Sequence, residues 1–142
     1  MTVYENLKET YEAYRTDVLS LEEHTTPFAG FLGFGKGAGE APLHDRFDRE
    51  VAARVGEMTG DAAEYMDCID LILFAPSRSG LPGYAVYTQI AAQRHLLPAL
   101  AALPLGVRAS LLDRYRATYP GKHLLPLQTL VLEALQTGKS PS

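Results

Sequence analysis

Apolar side chains recur near the start of the chain at alternating spacings of three and four: Tyr4, Leu7, Tyr11, Tyr14, Val18 and Leu21. Glu5, Lys8, Glu9, Glu12 and Arg15 fall between them, the one-sided stripe of an amphipathic helix. Thr2 followed three residues later by Glu5 has the form of a capping box, so this helix should begin at about residue 3. The pattern stops near His24. Thr25 through Pro42 then carries Gly30, Gly33, Gly35, Gly37 and Gly39 among Phe28, Phe31, Leu32 and Phe34, which predicts a long loop with apolar anchors.

Helical spacing returns at Phe47, Val51, Val55 and Met58, predicting a second helix from Pro42 to Met58 that is broken by Thr59-Gly60-Asp61. A third is expected from Asp61 to just before Pro76, burying Tyr65, Met66, Ile69, Ile72 and Leu73. Its second half is apolar on most faces and could also suit a buried strand, but the chain offers no second strand to pair with it. Pro76–Pro82 reads as a turn, followed by a fourth helix with Val86, Ile90, Gln93, Leu97 and Leu100 in register. Pro98 must kink that helix or open a new one. Leu105–Tyr119 and Pro126–Gln136 complete the set, with Gly138 as a stop. The strings Arg94-His95-Leu96-Leu97-Pro98 and Lys122-His123-Leu124-Leu125-Pro126 are read as two prolines at helix starts, because their flanks do not match as a repeat would require. The fold expected is all-α: an irregular bundle of five to six helices with a long Gly-rich loop between the first two. It forms one domain over residues 1–138, and residues 139–142 are a flexible tail.

Composition narrows the class. Hydrophobic residues at 46% and charged residues at 21% of 142 exclude disordered and collagen-like chains. A net charge of −4 argues against a general nucleic-acid binder, so nucleic acid is not an expected partner. That total divides unevenly: residues 1–75 sum to −9 and residues 76–142 to +5. The apolar stretches Leu71–Ala75 and Leu96–Leu105 are far shorter than the roughly 20 residues that cross a bilayer, so no membrane span is expected. One cysteine, Cys68, permits no intrachain disulfide, and the N-terminus lacks the apolar run of a targeting segment; both point to the cytoplasm.

Candidate chemistry comes in five groups. His44 and Asp48, four residues apart on the second helix, could act together as metal ligands, with Asp67 or Asp70 as a further ligand or base. A plain local His44–Asp48 pair explains the same spacing. Asp70, inside an apolar run, calls for a cationic partner, with Arg78 or Arg94 as candidates. Ser77, Arg78 and Ser79 before the fourth helix suit a small anion, with Gln93 and Arg94 nearby, although helix capping by either serine accounts for the hydroxyls. Gly30–Gly37 approaches a phosphate-loop pattern but has Gly37 where a hydroxyl is needed and no strand before it. Arg108, Arg114, Arg116 and Lys122, interleaved with Tyr115 and Tyr119, form a small basic and aromatic set suited to solvent or to the acidic half of this or a neighbouring chain.

The function expected from these residues is a non-catalytic cytoplasmic domain for protein interaction or small-ligand binding. The three tyrosines of the first stripe and the two charged halves suggest self-association as a homodimer, or docking on another protein. No cofactor is expected. The alternatives are a metal-dependent hydrolase using His44 and Asp48 with Asp67 or Asp70, and an anion or phosphate site at Ser77–Gly80.

Overall fold

The computed structural model describes residues 1–24, 36–121 and 124–139, together with the side chains of all of these except 24 and 36–40. Among them the structure is all-α, with no strand. Helix α1 runs Val3–His24, α2 Lys36–Glu57 and α3 Tyr65–Phe74, continuing into a 3₁₀ turn at Ala75–Arg78. Helix α4 (Gly83–Ala91) tightens into a second 3₁₀ stretch, Ala92–Leu96, before α5 (Leu97–Ala102); α6 (Leu105–Thr118) and α7 (Pro126–Thr137) complete the chain of helices. No described helix is long and apolar enough to cross a membrane.

The N-terminus of α1 is capped as its sequence requires: the Glu5 N–H donates to Thr2 Oγ1 at 3.1 Å. The reciprocal half of the box differs, because the Glu5 carboxylate accepts from the Thr2 hydroxyl at 3.3 Å. The stripe faces inward, with Leu7, Tyr11, Tyr14 and Val18 buried against Phe47 and Val51 of α2. Tyr11 meets the Phe47 ring edge-on at 4.9 Å and Tyr14 lies 4.4 Å from it, so aromatic packing fastens α1 to α2.

Two boundaries depart from the expected ones. Helix α2 starts at Lys36 and holds Pro42 inside it. Helix α3 begins at Tyr65 because Asp61–Glu64 is used in turns. The residues 25–35 of the glycine-rich segment lie outside the described residues, as do Lys122, His123 and Ser140–Ser142 of the tail. Of the two outcomes expected at Pro98, a kink or a new helix, the structure has the new helix: the chain narrows to 3₁₀ before it, and Pro98 occupies the first turn of α5, where its missing N–H is harmless. Pro126 stands likewise in the first turn of α7, and Gly138 ends that helix in the left-handed region at φ 72°.

The C-terminus of α3 sits against the core and ties together segments from three later parts of the chain. A helix leaves its last four carbonyls without partners of its own. Here Leu71 O accepts the Ala75 N–H, and Phe74 O accepts the Ser77 hydroxyl at 2.7 Å. Gln93 Nε2 donates to Ile72 O (3.3 Å) and Leu73 O (3.2 Å), and the Tyr119 hydroxyl also donates to Leu73 O at 2.6 Å. Gln93 is therefore the buried hydrogen-bonding residue that its place in an apolar stripe implied.

Candidate functional site

The residues singled out as metal ligands are taken up by separate partners. His44 Nδ1 lies 2.8 Å from the Tyr14 hydroxyl, with the His44 ring 5.7 Å from that of Tyr84. Asp48, four residues on, has partners of its own: Arg94 donates to its two oxygens at 2.7 and 2.6 Å, and His95 Nε2 lies 3.2 Å from Oδ1. The pairing is bidentate across two elements and is not the local His44–Asp48 contact that the spacing suggested. Burial alone would raise the Asp48 pKa. The hydrogen bonds and charges of Arg94 and His95 outweigh it, so the carboxyl sits below its usual range.

Asp70 pairs with Arg114 at 2.6 Å and not with Arg78 or Arg94; it lies at the protein surface, and Arg114 stacks 4.2 Å over the Phe74 ring. Asp67 is exposed. Among the described residues no three His, Cys, Asp or Glu side chains converge as metal donors. Cys68 is fully buried, and its thiol is pushed up to about 11 by burial first and by Glu64 and Asp67 second.

The basic and aromatic set of α6 does not form one face. Arg108 reaches Leu103 O at 2.9 Å and Leu135 O at 3.2 Å, clamping α6 to the end of α7, while Tyr115 is fully buried. Two features that suggested self-association are likewise used within the chain. Tyr11 and Tyr14 belong to the core, and the charged halves meet at Asp48–Arg94 and Asp70–Arg114.

The turn Ala75–Arg78 and Ser79 remain. Neither serine caps α4, whose N-cap is Pro82. Their hydroxyls donate to the carbonyls of Phe74 and Pro76, and Ser79 Oγ accepts the Leu81 N–H at 3.3 Å. This bonding fixes the turn against α1, where Arg15 Nε donates to Ser79 O at 3.2 Å. Between the two elements lies a recess of about 240 Å³. Helix α1 contributes Lys8, Tyr11, Glu12 and Arg15 to it; Leu71 and Ala75 form an apolar side, and Arg78, Ser79 and Gln89 close it. Gln93 and Arg94, expected beside Ser77–Ser79 from sequence, are not part of its wall: one serves the α3 carbonyls, the other Asp48.

Tyr11 and Gln89, only 6% and 2% exposed, each hold a polar atom closed to solvent behind this wall and without a hydrogen-bond partner, the Tyr11 hydroxyl and Gln89 Oε1. Buried polar atoms without partners are rare, because each forfeits its bonds to water. Burial, and then the nearby Tyr119 hydroxyl, raise the Tyr11 pKa, so Tyr11 is held protonated. The α1 contribution was readable as spacing, since positions 8, 11, 12 and 15 share one side of a helix. What hid it was that Tyr11 also belongs to the apolar stripe, and that the opposing turn is set by bonds that no local pattern announces.

Comparison with protein-family models, curated proteins and solved structures found no match to this chain, so its own geometry carries the functional reading.

Proposed function

We propose that this chain is a non-catalytic, cytoplasmic, small-ligand-binding helical domain whose site is the recess between α1, the Ala75–Ser79 turn and α4. The observation that carries the reading is a recess of about 240 Å³ in which three cationic side chains, Lys8, Arg15 and Arg78, stand beside an apolar side formed by Leu71 and Ala75. A cavity of about 150 Å³ already holds benzene, so this one has room for a monocyclic molecule. Apolar walls with a few convergent polar groups are the usual make-up of a ligand site. The buried thiol of Cys68 agrees with a reducing compartment.

The reading is tested by titrating the protein with a panel of neutral, anionic and cationic monocyclic compounds while monitoring backbone amide resonances. Shifts should cluster at Ala75, Ser79 and Gln89 and be lost in Ala75→Leu, which fills the recess, with the circular dichroism spectrum unchanged. Shifts scattered over the surface, or equal in Ala75→Leu, would overturn it.

A further inference from the structure

No further inference is drawn: the strongest candidate, the apolar hollow between α4 and the start of α7 where the exposed Tyr87 stands beside Ile90, Ala91, Leu125, Pro126 and Leu127, carries nothing because nothing in the structure shows what covers it.

Discussion

Tyr115 donates its hydroxyl to Gln93 Oε1 at 2.6 Å, with both side chains fully buried. The bond closes a chain that runs from α6 through Gln93 to the carbonyls of Ile72 and Leu73 at the end of α3. Tyr115→Phe keeps the ring but leaves Gln93 Oε1 without that donor. Urea unfolding should show a loss of about 1–3 kcal/mol. Because the two side chains share one network, Tyr115→Phe and Gln93→Leu should combine with a coupling of at least about 0.5 kcal/mol, and strict additivity would refute the link.

The Asp48–Arg94–His95 cluster makes stability depend on acid. With its pKa lowered in the folded state, Asp48 contributes fully above the unfolded carboxylate value of about 3.9 and loses that contribution as pH falls through the folded value. Asp48→Asn should therefore cost about 1 kcal/mol at pH 7, and the gap to the parent should shrink below about pH 4. A gap that stays constant down to the acid transition would contradict this sign.

Alkali acts through the tyrosines. Burial raises the pKa of Tyr11, Tyr115 and Tyr119, and pushes Tyr119 up to about 12. An unfolded tyrosine ionises near 10, so stability is full below about pH 10 and falls as pH rises from there towards about 12. Tyrosinate absorbance in that range should contain a component that appears together with the loss of helical signal. Complete ionisation of all eight tyrosines with the helices intact would rule it out.

Much of the helical plan could be read from spacing, because helix periodicity is a local property. The stripe of α1, the prolines that open α5 and α7, and the glycine that ends α7 each act within a turn or two of their own position. The site was legible only in part. Arg78 and Ser79 stood out as an anion-binding pair, but Lys8, Arg15 and Gln89 join them through the packing of α1 and α4 against the turn. Ion pairing was foreseen for Asp70 in kind but not in partner, since Arg114 is 44 positions away and spacing says nothing about contacts at that range.

Gly138 tests one of those local signals against its tertiary setting. Its φ of 72° disfavours a side chain, and a Cβ there would lie 3.1 Å from the Arg108 guanidinium, which two carbonyls hold in place. Gly138→Ala should cost about 1–2 kcal/mol from the backbone alone. In an Arg108→Ala background the cost should fall towards that backbone value, measured by thermal unfolding; an unchanged cost would mean that the guanidinium yields freely.

The end of α3 has a consequence for how the protein is made. Its carbonyls are completed by Ser77, then Gln93, then Tyr119, the last lying 46 residues beyond Leu73. A growing chain that has emerged only as far as Phe74 carries the acidic helices with an unfinished terminus, and that terminus frays until the later segments arrive. The acidic half must therefore wait for the basic half during synthesis, and the division of charge along the sequence is also a division in time.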